Sequence, residues 1–267
     1  MQPFLSVIIP AYNEAKRLPP TLQDVHRILS GKNFSYEILV VNDGSQDATA
    51  ELVSEMAKGI PFLSLLENKK NRGKGAVVRQ GMLAARGEIR LFMDADNSTS
   101  LEHLELALPY LQNEHEQYDI VVASRAVRGA QLDPPQPLFR RVAGKVLNLF
   151  AQALLLPGVW DTQCGFKVFT GGAAEEIFSR AEMNGWAFDV EALALARALE
   201  LRIKEIPAHW RNDRASTVPL SAGLRFAIET LTIRFRLWAD TYHIRTKNSA
   251  ATKPLPGREE QEAKNEI

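Results

Sequence analysis

Five short apolar, β-rich runs, at 5–9, 37–41, 62–66, 89–93 and 119–123, alternate with stretches of helical spacing and constrain this chain more than any other feature. The helical stretches fall at about 19–29, 48–58, 73–85 and 100–112, the first with proline in its opening turn. Strand and helix in that rhythm build an α/β fold with a mostly parallel, doubly wound sheet. Ligands of such sheets sit beyond the carboxyl ends of the strands. Three polar loops fall at that edge: Tyr12 to Glu14, Asn42 to Ser45 and Asp94 to Asn97.

The third loop carries the chemistry. The run 89–93 delivers Asp94 and Asp96 to the end of a strand, and side chains two apart on a strand share a face. Two carboxylates on one face suit a divalent cation, and oxygen-only donors suit Mg²⁺ or Mn²⁺ completed by substrate phosphates. An Asp-x-Asp alone also suits a solvated turn that caps a helix beginning near Ser100.

Bulk properties narrow the field further. With 267 residues, 45% of them apolar, the chain can bury one large core, and a single domain over 1–245 is expected. Its two halves are expected at 1–125, which carries the three rim loops, and at 126–245. Lys plus Arg equals Asp plus Glu at 32 each, so no global field favours nucleic acid. Positive charge is nonetheless concentrated: Arg140, Arg141 and Lys145 face no acid between 134 and 160. A single cysteine, Cys164, cannot form an internal disulfide and reads as a small buried apolar residue. A strand beginning by Leu5 leaves no room for a signal peptide, and no apolar run reaches the ~18 residues of a membrane span. The expected location is cytoplasmic, peripheral on the inner face of the cell membrane.

After Ser124 the pattern changes. Residues 138–156 read as an amphipathic helix with Val142, Val146, Phe150 and Ala153 on one face and Arg141, Lys145, Asn148 and Gln152 on another. An extended segment at 163–169, a helix at 187–201 and a final strand at 203–209 follow. Leu224, Ile228, Leu231, Phe235 and Trp238 form a second stripe at helical spacing, open to two readings: a membrane-facing surface or core packing. Residues 246–267 have the composition of a disordered tail.

The chain resembles family 2 inverting glycosyltransferases of the GT-A fold. The residues that carry the resemblance are Val7-Ile-Ile-Pro-Ala-Tyr-Asn-Glu14, Val40-Val-Asn-Asp-Gly-Ser45, Asn71-Arg-Gly-Lys-Gly75 and Asp94-Ala-Asp96. Asp161-Thr-Gln-Cys-Gly-Phe-Lys167 and Trp186-Ala-Phe-Asp-Val-Glu191 make it similar, within that family, to the dolichyl-phosphate β-glucosyltransferases, whose layout dolichyl-phosphate mannosyltransferases share.

The resemblance implies a nucleotide-sugar donor cradled by Pro10, Tyr12, Glu14 and Asp43, with Lys74 near the phosphates, Ala95 between the acids, and Mg²⁺ or Mn²⁺ at Asp94 and Asp96. It implies a polyprenyl-phosphate acceptor; Arg125, Arg140, Arg141 and Lys167 are the candidates to grip its phosphate or the diphosphate, with the amphipathic helices lying on a membrane. Where relatives carry Gly-Ser-Lys in the acceptor loop, this chain has Ala215 and Thr217 around Ser216, and Arg211 or Arg214 is the expected replacement for the lysine. A phosphate acceptor needs no strong base. A hydroxyl acceptor would need one, Asp189 or Glu191, although Asp189 equally suits a helix N-cap. GDP-mannose as donor and a non-catalytic nucleotide-sugar-binding module are the other readings.

Overall fold

The computed structural model describes residues 2–113, 117–134, 138–211 and 221–244, with the backbone alone at 138–143 and 221–222. In chain order the elements are β1 (Leu5–Ala11), α1 (Leu18–Ser30), β2 (Tyr36–Asn42), α2 (Thr49–Met56), β3 (Leu63–Glu67), α3 (Lys74–Ala84), β4 (Ile89–Met93), α4 (His103–Leu111) and β5 (Ile120–Ser124). They continue with β6 (Gln131–Asp133), α5 (Leu138–Leu154), β7 (Phe166–Thr170), α6 (Gly171–Phe178), α7 (Phe188–Ala198), β8 (Ile203–Pro207), β9 (His209–Arg211) and α8 (Ser221–Trp238).

Seven strands form one sheet in the order β3-β2-β1-β4-β7-β5-β8, and β6 pairs with β9 beside it. Every pairing in the main sheet is parallel except those of β7, which runs antiparallel to both β4 and β5. The expected mostly parallel α/β sheet is therefore present. The apolar runs are near-continuous because both faces of the sheet are covered. Val7, Ile9, Val40 and Leu91 pack into one core layer, and Ile8, Val41, Phe92 and Val122 into the other.

Two features position the site. The chain moves outward from β1 to β2 and β3, then returns to place β4 on the other side of β1, so the gap between the carboxyl ends of β1 and β4 is a topological switch point. Because β7 is antiparallel, its entry also lies at that rim, with Met93 opposite Phe166.

Several boundaries differ from expectation. The run 203–209 divides at Ala208 into β8 and β9, which belong to different sheets. The helix expected from Ser100 begins at His103. Helix α6 was not signalled at all, since it opens on Gly171-Gly172; Thr170 Oγ1 caps it by accepting the Ala173 N–H.

The two amphipathic helices pack on each other, and each buries a face other than its most conspicuous one. In α5 the inward line is Leu147, Ala151 and Leu155, just beyond the helix end, while Val146 and Leu149 face outward. In α8, Phe226, Thr230 and Ile233 are buried, while Leu224, Ile228, Leu231, Phe235 and Trp238 are 51–70% exposed. Core packing of that stripe is thereby overturned. Among the described residues no helix is long and apolar enough to cross a membrane. The tail at 246–267 and Ala215 to Thr217 lie outside the described residues.

His103 fastens β9 to α4. Its Nε2 accepts the His209 N–H at 2.8 Å, so the ring proton sits on Nδ1, which donates to Ser100 O at 2.9 Å. Burial, aided by His209, holds the His103 pKa below that of free histidine. The folded state therefore resists a proton that the unfolded chain takes up near pH ~6.5, and this contribution to stability is complete above that pH and drains away as pH falls through the lower folded value. Melting the wild type and His103→Gln at pH 7.5 and pH 5.5 should show a smaller difference between them at the lower pH; an unchanged difference would refute the linkage.

Candidate active site

The first loop, Tyr12 to Glu14, is fastened to the second. Asn13, in the left-handed region at φ 56°, donates its N–H to Ser45 Oγ at 2.9 Å and accepts the Gln46 N–H on Oδ1 at 2.8 Å. Glu14 N–H donates to Thr49 Oγ1 at 2.8 Å, while the Glu14 carboxylate is occupied by Arg17. Burial pushes the Glu14 carboxyl up, and Arg17 works against that shift. Pro10 lies inside β1, whereas Tyr12 is about half exposed and lines a polar cleft of about 400 Å³ bounded also by Asn42, Ser45, Asn68 and Lys70.

Asp43 is buried, and its two oxygens accept the N–H groups of Arg72 at 2.7 Å and Gly73 at 3.0 Å. It thus shapes the glycine turn that opens α3. That turn needs glycine: Gly73 has φ 95°, and a Cβ there would lie 2.3 Å from Asn184 O. A Cβ on Gly75 would lie 2.3 Å from Met183 O, because the Gly75 N–H donates to Asn184 O at 2.9 Å.

Lys74, between those glycines, reaches across the switch point. Its ammonium donates to Asp94 Oδ1 at 2.6 Å and lies 5.6–5.8 Å from the ring centres of Phe92, Trp186 and Phe188. Burial works against that charge, but Asp94 and Asp189 outweigh it and raise the Lys74 pKa above the ordinary lysine value. Asp94 follows the last residue of β4, and its N–H donates to Gly165 O at 3.1 Å. Ala95 and Asp96 form a turn, with Asp96 Oδ1 accepting the Ser98 N–H at 2.9 Å and Ala95 O accepting Thr21 Oγ1–H at 2.8 Å. Both acids therefore stand on the turn at the rim, beyond the last residue of β4, and the alternation of an extended strand does not reach them.

The cations expected to grip phosphate have partners of their own. Arg125 makes a bidentate pair with Asp161 at 2.7 and 2.9 Å, and its N–H donates to the same carboxylate. Against the penalty of burial, Arg125 holds the Asp161 carboxyl below the usual range. Lys167 is buried, not a surface charge: its ammonium donates to Asp189 Oδ1 at 2.5 Å and Cys164 O at 2.7 Å. The N-cap reading of Asp189 is corrected, since Ala187 is the N-cap and Asp189 lies in the first turn of α7. Burial pushes its carboxyl up, opposed by Lys167 and Lys74. Glu191 is structural, with its carboxylate accepting the N–H groups of Glu182 and Met183 and the Tyr242 hydroxyl. Cys164 is buried, and burial pushes its thiol up to about 11. The Arg211 N–H donates to Ser98 O, and its side chain is exposed; Arg214 and the side chains of Arg140 and Arg141 lie outside the described residues.

Three residues that hold the rim segments in place were not singled out for this from sequence: Asp161 as the partner of Arg125, Asn148 and Glu229. Asn148 on α5 donates to Trp160 O and accepts from Thr162, gripping the segment that ends at Gly165. Glu229 on α8 accepts the Ala187 N–H at 2.9 Å, gripping the segment that carries Trp186 over Lys74. Only long-range contacts define these roles, so no local pattern could have flagged them.

The sequence model of glycosyl transferase family 2 matches residues 6–178, a span that contains the first three loops, Lys74, Asp94 and Lys167. The chain belongs to glycosyl transferase family 2. This glycosyltransferase is 37% identical over 253 residues to the dolichyl-phosphate beta-glucosyltransferase of Dictyostelium discoideum, covering 91% of this chain and 77% of the relative. To the dolichyl-phosphate beta-glucosyltransferase of Homo sapiens it is 36% identical over 243 residues, covering 87% and 75%. Among solved structures, the glucosyl-3-phosphoglycerate synthase of Mycobacterium tuberculosis in complex with Mn²⁺ and UDP-glucose superposes with a TM-score of 0.62 at 21% identity, covering 87% and 79%. The mannosyl-3-phosphoglycerate synthase of Rubrobacter xylanophilus gives a TM-score of 0.58 at 16% identity, covering 95% and 77%. The family 2 enzyme thus has the GT-A fold that the sequence motifs implied.

Proposed function

We propose that this glycosyltransferase moves glucose from UDP-glucose to a polyprenyl phosphate of the dolichyl type, with inversion at the anomeric carbon. One observation carries the reading. The two helices with outward apolar residues are hydrogen-bonded, through Asn148 and Glu229, to the two segments that enclose Lys74 and Asp94. An anion-handling rim thereby adjoins a greasy surface, the combination that a lipid with a phosphate head requires. The names of the relatives support the same acceptor and sugar.

Asp94 and Asp96 would hold Mg²⁺ or Mn²⁺, which supplies positive charge to the departing diphosphate. The donor chemistry fits: two carboxylates on a turn suit an ion completed by phosphate oxygens. The complex of the mycobacterial synthase with Mn²⁺ and UDP-glucose is consistent with that assignment. Tyr12 and the polar cleft beside it receive the nucleoside, with Pro10, Glu14 and Asp43 shaping the loops around it. Lys74 places a cation at the start of α3, where phosphate is favoured. Arg125 and Lys167 keep the acceptor segment in place through Asp161 and Asp189.

The same geometry argues against a hydroxyl acceptor. Asp189 and Glu191, the bases open to such an acceptor, are buried and engaged, Asp189 with an ammonium and Glu191 with two backbone N–H groups and the Tyr242 hydroxyl. A phosphate oxygen is substantially ionised near neutrality and needs no base. The test is to offer UDP-glucose, GDP-mannose and other nucleotide sugars with a short polyprenyl phosphate or the corresponding alcohol. A glucosyl phosphate lipid from UDP-glucose is expected; product from the alcohol, or from GDP-mannose alone, would refute the reading.

We place the enzyme peripherally on the inner face of the membrane; the outward stripes of α5 and α8 support attachment, with Arg140, Arg141 and Lys145 attracted to anionic lipid. In vesicle flotation, Ile228→Glu/Phe235→Glu should abolish co-flotation and Arg140→Glu/Arg141→Glu should weaken it. Flotation unchanged in both variants would remove these helices from the membrane.

A further inference from the structure

Lys74 combines a fixed base with a free arm. Its backbone is clamped by Gly73 and Gly75 against the main chain of 183–184, where no Cβ would fit. Its side chain spans the switch point on a flexible four-carbon stem to reach Asp94 at 2.6 Å. Among the described residues Asp94 Oδ1 is the only hydrogen-bond acceptor of the ammonium, and the rings of Phe92, Trp186 and Phe188 stand around it. The side chains of Lys74 and Asp94 are 27% and 30% exposed, so the pair is open to the rim.

A cation at hydrogen-bond distance from Asp94 stands where a divalent ion on the same carboxylate would stand, and two cations cannot share that seat without repulsion. We propose that Lys74 is an exchangeable counter-ion. Without donor, its ammonium neutralises Asp94 and keeps a bare divalent ion out. When the donor arrives, the ammonium leaves Asp94 for an oxygen of the diphosphate, and the ion that accompanies the nucleotide takes its place on the carboxylate. The net charge of the site is unchanged, because the two negative charges of the nucleotide-sugar diphosphate arrive with the two positive charges of the ion, and the ammonium only moves from Asp94 to a phosphate oxygen. The inference rests on the reading of Asp94 as a metal ligand. It adds an order: metal and nucleotide bind together, each tightening the other by the same factor.

The test measures binding of Mn²⁺ by the paramagnetic resonance of the free ion, with and without UDP, for wild type, Lys74→Met, Lys74→Arg and Asp94→Asn. Lys74→Met fills the aromatic surroundings without charge. It should bind Mn²⁺ alone about tenfold more tightly than wild type, yet bind UDP in saturating Mn²⁺ about tenfold more weakly. Lys74→Arg keeps the positive charge and should exclude the bare ion as wild type does. Opposite signs for the two ligands distinguish exchange from damage, which would weaken both. Equal or weaker binding of Mn²⁺ alone by Lys74→Met would overturn the exchange while leaving the metal assignment standing. Binding of Mn²⁺ with UDP by Asp94→Asn as tightly as by wild type would overturn both.

Discussion

Replacing Asp94 by Asn should lower kcat/KM about 10²- to 10³-fold while leaving the melting temperature within a few degrees of wild type. Asp94 is partly exposed, and its loss strands only Lys74, whose side chain can reach solvent. The second half of this expectation concerns a residue with no side chain. A Cβ on Gly165 would lie 1.8 Å from Asp94 Oδ2, so Gly165→Ala must push the carboxylate aside. A displacement of about 1 Å at a reacting centre can cost on the order of 10² in rate. Gly165→Ala should therefore mimic Asp94→Asn in kinetics and keep its fold, because Asp94 has open space at the rim into which to turn. Steady-state kinetics beside thermal melts check both; a Gly165→Ala enzyme of full activity would show that the position of Asp94 is not critical.

The largest stability effect should come from the pair beneath the rim. Lys167 and Asp189 have side chains only 1% and 7% exposed, and breaking a buried pair by removing one partner costs about 3–5 kcal/mol. Asp189→Asn should thus lower the melting temperature on the order of 10 °C by stranding the Lys167 ammonium. Lys167→Met should do similar harm by leaving Asp189 alone. The double variant Lys167→Met/Asp189→Leu removes both charges and should recover much of the loss, since apolar replacement of a buried pair is often neutral. Additive losses in the double variant would show that the two residues act independently. This has a consequence for the acceptor as well. A fall in activity of Asp189→Asn cannot by itself identify a general base, because the substitution also destabilises the segment that begins β7.

The sheet was legible because its strands are buried on both faces, so Leu5, Val7, Ile8, Leu91 and Phe92 belong to near-continuous apolar runs, broken only by Ser6 and Arg90. The rim was legible because the polar loops after β1, β2 and β4 interrupt those runs at the same end. What could not be read was the direction of β7: an extended run such as Phe166–Thr170 is compatible with either orientation, and only its neighbours β4 and β5 decide. Helical periodicity likewise revealed the stripe from Leu224 to Trp238 but not that the core takes another face, Phe226, Ile233 and Thr230, whose hydroxyl donates to Phe226 O. Arg125 and Lys167 were recognised as cations of the site. Their carboxylate partners, Asp161 and Asp189, lie 36 and 22 residues away, so sequence alone cast both cations as free grips for phosphate.

The account depends on a divalent ion held at the turn after β4 as the diphosphate departs. Crystals of the protein grown with Mn²⁺ and UDP, measured at the manganese absorption edge, test it most directly. The anomalous peak is expected between Asp94, Asp96 and the diphosphate, with the Lys74 ammonium turned away from Asp94 toward a phosphate oxygen. A peak that touches neither carboxylate, with UDP seated and Lys74 still on Asp94, would contradict it.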